Sequence, residues 1–260
     1  MKYKFTLASF IFLTFFISVT DTAEAQLPVT DTAKKILPPV RKFYVGTALD
    51  GGIFSTALIK QTVTSLTNPP VQSTTNTIGI IRFTYFFNFG VTFNLNFSRH
   101  IGIFSGIDVK NIGYIDKDNG QETVKRRSYN IGAPLGIKIG NMVTKKPYVF
   151  LGGGIDLPFN YKEKTFVVRD EKTKFNEWFS QRTAATMPYV FAGFAINHGI
   201  TFKVQYYPGN FLNPNYTNNG AQPYAGTTVN LILFSLGYAI PLSKKHDIVK
   251  EHVADLKTNN

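Results

Sequence analysis

The chain has 260 residues, of which 43% are hydrophobic, 15% aromatic and only 17% charged, and it has no cysteine. This composition excludes a disordered chain, and the lack of cysteine excludes disulfides, thiolate-bound metals and a cysteine nucleophile. The formal net charge is +12, but the basic residues lie in a few polar connections and in the tail rather than on one periodic face. Nucleic acid is therefore not a predicted partner.

The N-terminus has the three parts of a secretory signal. Two lysines come first, an apolar run covers residues 5–19, and residues 23–25 read Ala-Glu-Ala, a small-x-small cleavage site. The run is shorter than the roughly 18–20 residues that a membrane-spanning helix needs. We predict a signal peptide over residues 1–25, removed on export, and an extended lead-in over residues 26–41.

From residue 43 onward the dominant hydrophobic period is two, the signal of β-strands. It is clearest over residues 80–97, where odd positions are apolar or aromatic and even positions are mostly polar or small. The same alternation recurs over residues 43–53, 102–110, 130–139, 148–157, 189–196, 201–207 and 231–240. The sequence therefore predicts eight strands.

The connections between these strands alternate in length. Long polar connections cover about residues 60–76, 115–128, 161–186 and 208–228, and short ones cover about 98–100, 141–146 and 198–199. This alternation is typical of outer-membrane barrels. We predict an all-β fold, an eight-stranded antiparallel up-and-down transmembrane β-barrel over residues 42–241, with short periplasmic turns, long extracellular loops and a periplasmic tail over residues 242–260.

Side-chain size predicts which strand face is outside. One face is rich in large Phe, Ile, Leu and Tyr side chains, and the other in Gly, Ala, Ser, Asn and scattered charges. Because the interior of an eight-stranded barrel is narrow, the large face is expected to meet lipid. In the first strand this assigns Phe43, Val45, Leu49 and Ile53 to the lipid face.

The predicted lumen contains charged side chains, three acidic and four basic: Asp50, Arg82, Asp108, Lys110, Lys138, Asp156 and Lys203. Charges buried in a narrow lumen must be paired or hydrogen-bonded, so we expect a structural network that plugs the barrel. An ion or proton path is the alternative. Pro134 cannot donate to a strand ladder, which predicts a bulge or a local break at that position.

Residues 126–131 (Arg-Arg-Ser-Tyr-Asn-Ile) followed by Pro-Leu-Gly-Ile-Lys at 134–138 form an aromatic strand start with a Pro-Leu pair and a lysine. This pattern resembles the outer-membrane β-barrel family that includes PorT-like proteins. The resemblance covers about residues 43–241. It implies an outer-membrane barrel, with Tyr129, Pro134 and Lys138 as fold-defining positions, and some members of that family are linked to protein secretion.

No catalytic, cofactor or metal site is predicted. His100 and His198 fall in short turns and His246 and His252 in the tail, so none lies where an outer-membrane enzyme would place a catalytic histidine. The loop aromatics Phe175, Trp178 and Phe179 are either partner contacts or part of an interfacial aromatic belt.

The leading functional hypothesis is a non-enzymatic barrel of the bacterial outer membrane with a structural, adhesive or partner-binding role. Its partners would be outer-membrane lipid and an envelope protein or surface partner, contacted through the loops. The alternatives are a small channel, transporter or secretion-associated barrel, and a secreted soluble barrel that holds an apolar ligand. The soluble alternative requires the large apolar face to point inward.

Overall fold

The computed structural model describes residue 40 and residues 42–65, 69–118, 122–142, 147–168, 171–196 and 199–241. The predicted signal peptide, the predicted tail and nearly all of the predicted lead-in lie outside these ranges. Within them, no helix has the length and apolar character needed to cross a membrane.

The described residues form ten strands: β1 (Phe43–Thr64), β2 (Gln72–Ile78), β3 (Arg82–Asn96), β4 (Ile101–Asp118), β5 (Glu122–Gly140), β6 (Tyr148–Val168), β7 (Glu171–Trp178), β8 (Met187–Ala195), β9 (Ile200–Tyr207) and β10 (Thr227–Pro241). Eight of them follow one another in a ring, in the order β1, β3, β4, β5, β6, β8, β9, β10.

The ring is closed by β10, which returns to pair with β1 in antiparallel register from Gly46↔Pro241 to Gln61↔Thr227. The other neighbours in the ring are antiparallel as well. Closure leaves none of the eight strands with a free edge along the paired length. The predicted eight-stranded antiparallel barrel is confirmed.

The outer surface of the barrel is an apolar belt, as β5 illustrates. Ile131, Leu135 and Ile137 are exposed, whereas Gly132 and Lys138 on the alternate face are buried. The same arrangement recurs around the ring at Leu49, Phe89, Phe93, Ile107, Leu151, Ile155, Val190, Phe194, Val204, Phe234 and Leu236, each at least 40% exposed. This pattern is typical of a lipid-facing surface and is the reverse of a soluble barrel.

The assignment of Ile53 to the lipid face is wrong, since its side chain is buried on the inner face of β1. A register shift between Asp50 and Gly52 occurs in the pairing of β1 with both β3 and β10. One extra residue exchanges the two faces of a strand. Beyond this bulge Ile53 and Ser55 point inward, and Phe54 points outward.

Three of the four predicted long loops are mostly strand. β1 and β2 pair over Leu58–Thr64 and Gln72–Ile78, β4 and β5 pair up to Asp118↔Glu122, and β6 and β7 pair over Asn160–Val168 and Glu171–Trp178. The strands continue because the hydrogen-bond ladder does not require an apolar face. We call this side of the barrel the hairpin end and the opposite side the short-turn end.

The ladder is interrupted opposite Pro134, as predicted. Pairing between β4 and β5 runs to Ser105↔Leu135 and resumes at Asp108↔Gly132 with the register unchanged. The result is a local break rather than a bulge, and the hydroxyl of Ser105 donates to the Pro134 carbonyl at 2.9 Å.

Candidate functional site

The lumen contains a lysine held between two aspartates. The Nζ of Lys110 lies 2.9 Å from Oδ1 of Asp156 and 3.5 Å from Oδ1 of Asp108. The side chain of Lys110 is 1% exposed and that of Asp156 is 0% exposed. Tyr207 donates its hydroxyl proton to Asp156 Oδ2 at 2.7 Å, and Lys110 Nζ also lies 3.8 Å from the ring centroid of Tyr189.

Strand register explains how the two carboxylates share one cation. Asp108 on β4 is opposite Gly132 on β5, and Gly132 is opposite Asp156 on β6. The glycine between them has no side chain, and a Cβ at that position would meet Asp108 Oδ1, Asp156 Oδ1 and Lys110 Cε. The space that the missing side chain leaves is therefore occupied by the ion-pair group.

We expect Gly132→Ala to lower the free energy of unfolding by about 1–3 kcal/mol, because the added methyl must displace buried charged groups. The measurement is the urea midpoint of the refolded chain in lipid vesicles. Gly51→Ala is the matched control, since a Cβ there meets only Leu236 O at 3.9 Å. Equal midpoints for the two variants would contradict this packing of the lumen.

A second ion pair joins β1 and β9. Lys203 Nζ lies 2.8 Å from Asp50 Oδ2, and Asn88 donates a hydrogen bond from its side-chain amide to the same oxygen. Asp50 and Asn88 are directly opposite in the pairing of β1 with β3. Five of the seven predicted lumen charges therefore meet in two ion-pair groups.

Among the residues that the structure describes, neither Lys138 nor Arg82 forms an ion pair with an acidic side chain. Lys138 lies toward the short-turn end, where its Nζ donates to Tyr44 Oη at 3.1 Å and to Asn94 Oδ1 at 3.0 Å. Arg82 lies toward the hairpin end and donates from Nη2 to Asn111 Oδ1. Both are almost fully buried, and the acceptors of these three hydrogen bonds are neutral oxygens.

A further cluster, partly buried, lies on the inner face at the hairpin end. Tyr161 donates to Glu163 Oε2 at 2.6 Å, and Arg126 Nε lies 3.1 Å from the same oxygen. Burial, followed by the nearby carboxylate of Glu163, raises the pKa of Tyr161 well above its ordinary value. Tyr161 therefore stays protonated and acts as a donor.

Arg182, in the connection that follows β7, extends this cluster. Its guanidinium carbon lies 4.3 Å from the ring centroid of Phe175 and 4.8 Å from that of Tyr216. It also donates from Nη1 to Tyr224 Oη at 3.4 Å. The connection after β7 and the one between β9 and β10 are thereby joined above the lumen.

The predicted contact aromatics do not form one group. Phe175 lies on the inner face of β7 with Arg182, whereas Trp178 is 62% exposed and stacks on Phe159 with ring centroids 5.9 Å apart. Phe159 also contacts Tyr129, at 6.4 Å between ring centroids. Phe179 is exposed beyond the end of β7. The strip of Tyr129, Phe159 and Trp178 borders the apolar belt at the hairpin end, where barrels carry an aromatic girdle.

His100 lies in the turn between β3 and β4, at the short-turn end, and the other three histidines lie outside the described residues. Among the residues that the structure describes, no three His, Cys, Asp or Glu side chains are grouped so that they could hold a metal ion.

Sequence reasoning missed Arg126, Tyr161, Glu163 and Arg182, because all of them fall in predicted loops. The sequence does contain one indication that Arg126 belongs to the inner face. Arg126, Ser128 and Asn130 continue the alternation of β5 from Gly132 toward the hairpin end. The partners of the lumen charges, such as Asn88 and Tyr207, do lie on the small face that the alternation assigns to the lumen.

No family model matches the chain, and no curated protein matches it. Membership of the PorT-like family therefore stays a prediction. Similar solved structures include the attachment invasion locus protein Ail of Yersinia pestis, crystallised with the heparin analogue sucrose octasulfate, at 10% identity and a TM-score of 0.32 over 76% of this chain and 99% of that chain. Neisserial surface protein A is 11% identical with a TM-score of 0.35, covering 79% of this chain and 100% of that chain. The N-terminal β-barrel domain of Pseudomonas aeruginosa OprF is 8% identical with a TM-score of 0.26, covering 74% and 99%.

Proposed function

We propose that this chain is an exported, non-enzymatic barrel of the bacterial outer membrane that is closed to solutes and acts through its hairpin end. The observation that carries the proposal is the distribution of side chains across the closed ring. Large apolar side chains cover the outside, and paired charges with aromatic rings occupy the inside. An apolar exterior of this kind requires lipid, and closed barrels and helices are the structures that satisfy their backbone in lipid.

The topology supports an orientation with the hairpin end outside the cell. The turns at the other end are short, as the periplasmic turns of such barrels are, and the hairpin end carries the long connections. The N-terminal signal predicted from the sequence would deliver the chain to the periplasm, and β1 begins at the short-turn end.

Packing of the lumen supports a barrel that does not conduct. At mid-height Lys110 is held by two carboxylates and covered by the Tyr189 ring. Toward the short-turn end, Phe104, Phe150 and Phe191 pack against one another with ring centroids 5.9–6.2 Å apart. Eight strands leave little room for water beside such side chains.

Two measurements on the refolded full chain in vesicles and planar bilayers test the proposal. Folded insertion is expected to give a gel band whose migration changes on boiling, and the inserted barrel is expected to give no discrete conductance steps. Recovery of a stable, detergent-free soluble protein would overturn the membrane assignment. Stepwise conductance that Lys110→Met alters would instead favour the channel alternative.

A further inference from the structure

The outer face of the β5–β6–β7 sheet carries two adjacent rows of basic residues. In one row Lys125 is opposite Lys164, and Lys164 is opposite Lys174. In the next row Arg127 is opposite Lys162, which is opposite Asn176. These five basic residues, Lys125, Arg127, Lys162, Lys164 and Lys174, are called the basic face below.

Repulsion within the basic face destabilises the pairing of β5, β6 and β7. Like charges placed directly opposite each other destabilise an antiparallel pair. In the part of the chain that the structure describes, none of the five forms a salt bridge, and Glu163, which lies between the two rows in sequence, pairs with Arg126 on the inner face. Burial, together with Arg82, Arg127 and Lys164, lowers the pKa of Lys125. A bound anion would reduce the repulsion among these five basic side chains.

A groove of about 450 Å³ is lined by side chains from both rows. Its lining is made up of four cations, Arg127, Lys162, Lys164 and Lys174, together with Asn176, Phe175 and the acid Glu163, whose carboxylate is paired with Arg126. The four cationic side chains provide positive charge and hydrogen-bond donors, but the groove has few hydrogen-bond acceptors. A phosphate or sulfate group, whose oxygens accept hydrogen bonds, fits such a lining better than a neutral sugar does.

The height of the basic face points to the source of the anion. From the middle of the barrel toward the hairpin end, the outer face of β5 carries Leu135, Ile131, Tyr129, Arg127 and Lys125 in that order. The basic residues therefore lie on the same outer surface as the lipid-facing residues, closer to the hairpin end. At about 3.3 Å per residue, Arg127 lies about 13 Å along the strand beyond Ile131. With a strand tilt of about 40°, this is about 10 Å above the last lipid-facing side chain, at the level of the headgroups.

We propose that the basic face binds phosphate groups of anionic lipids in the outer leaflet of the membrane. The proposal rests on the proposed function, because it requires an inserted barrel whose outer face meets lipid laterally. Lysine binds phosphate as a point charge, and clustered basic residues next to a membrane surface attract anionic lipid. Tyr129 and Trp178, at the edge of the same outer face, are the residue types that anchor a barrel at the headgroup level.

The test uses Trp178, the single tryptophan of the chain, as a fluorescence donor beside the basic face. The full chain is inserted in phosphatidylcholine vesicles that contain a minor fraction of dansyl-labelled phosphatidylglycerol or, in parallel, dansyl-labelled phosphatidylcholine. We expect stronger energy transfer to the anionic lipid at low ionic strength, and a loss of this preference as added salt screens the charges.

The informative variant is Lys164→Gln combined with Lys174→Gln. It removes a like-charge pair, so it is expected to fold at least as well as the unmodified chain, and its preference for the anionic lipid is expected to be lost. The matched control is Lys42→Gln with Lys60→Gln, which removes the same charge from β1 and the residue before it, away from the basic face. The control is expected to keep the preference.

Several outcomes would overturn the proposal. An equal loss in both double variants would show a non-specific charge effect, and a preference that survives Lys164→Gln with Lys174→Gln would exclude the basic face. Heparin binding that depends on these lysines, without any lipid preference, would assign the face to a soluble polyanion. A heat-modifiable, inserted barrel without lipid preference refutes this proposal alone, whereas failure to insert refutes the proposed function as well.

Discussion

Lys110→Met is expected to lower the free energy of unfolding by about 3–5 kcal/mol, the range for a buried ion pair that loses one partner. Without the lysine, the carboxylates of Asp108 and Asp156 lie on either side of Gly132 with no cation between them. Methionine retains most of the buried volume, so the loss reports charge rather than a cavity. The measurement is urea unfolding of the inserted barrel, followed by far-UV circular dichroism and by the heat-modifiable gel band.

Lys164→Met is the matched control for this prediction, because it makes the same chemical change on the outer face of β6. A side chain that has no salt bridge in the described structure and lies among like charges is expected to change stability by less than about 0.5 kcal/mol. If Lys110→Met were as mild as this control, the ion-pair group would not be a stabilising part of the lumen.

Leu135→Arg is expected to destabilise the barrel by about 2–4 kcal/mol in vesicles, because it places a charge on the lipid face of β5. Leu135 is 63% exposed, and on a soluble protein an exposed position of this kind would accept arginine with little change. The measurement is the urea midpoint in phosphatidylcholine vesicles.

Val63→Arg provides the comparison, since Val63 is 56% exposed but lies in the part of β1 that extends beyond the apolar belt. Its expected cost is at most about 1 kcal/mol. Equal and small costs at both positions would mean that the exposed apolar residues do not face lipid.

Much of this fold could be predicted from the sequence, because the barrel places opposite chemistry on its two faces. Alternation over residues 80–97 and its seven repeats predicted the ring strands, since successive side chains of a strand point to opposite faces. Side-chain size then assigned the faces, as at Leu135 and Gly136. These predictions depend only on properties that each strand shows by itself.

The sequence-based predictions are wrong where a strand does not keep a regular alternation of apolar and polar residues. Gly51 and Gly52 lie at a bulge that reverses the faces of β1, and the simple alternation therefore misplaces Ile53. Beyond the apolar belt both faces of a strand are polar, so the sequence resembles a loop while β6 and β7 continue to pair. The amphipathic pattern reports the membrane-spanning part of a strand rather than its full length.

The details of the candidate site depend on register, which a single sequence does not reveal. Asp108, Gly132 and Asp156 are far apart in the chain and form one row across three strands. The same holds for Lys125, Lys164 and Lys174 on the outer face. Sequence reasoning identified charged lumen residues, but it could not state that Lys110 meets two acids while Lys138 meets a tyrosine and an asparagine.

The most direct test of the membrane-spanning barrel is a spin-label accessibility scan along the outer face of β5. The chain has no cysteine, so single cysteines can be introduced at Lys125, Arg127, Ile131, Leu135 and Ile137 without background labelling. In vesicles, labels at positions 131, 135 and 137 are expected to be reached by lipid-soluble oxygen and protected from an aqueous nickel chelate, with the reverse at positions 125 and 127. Access of the aqueous chelate to all five positions would contradict a barrel that crosses the membrane with this face toward lipid.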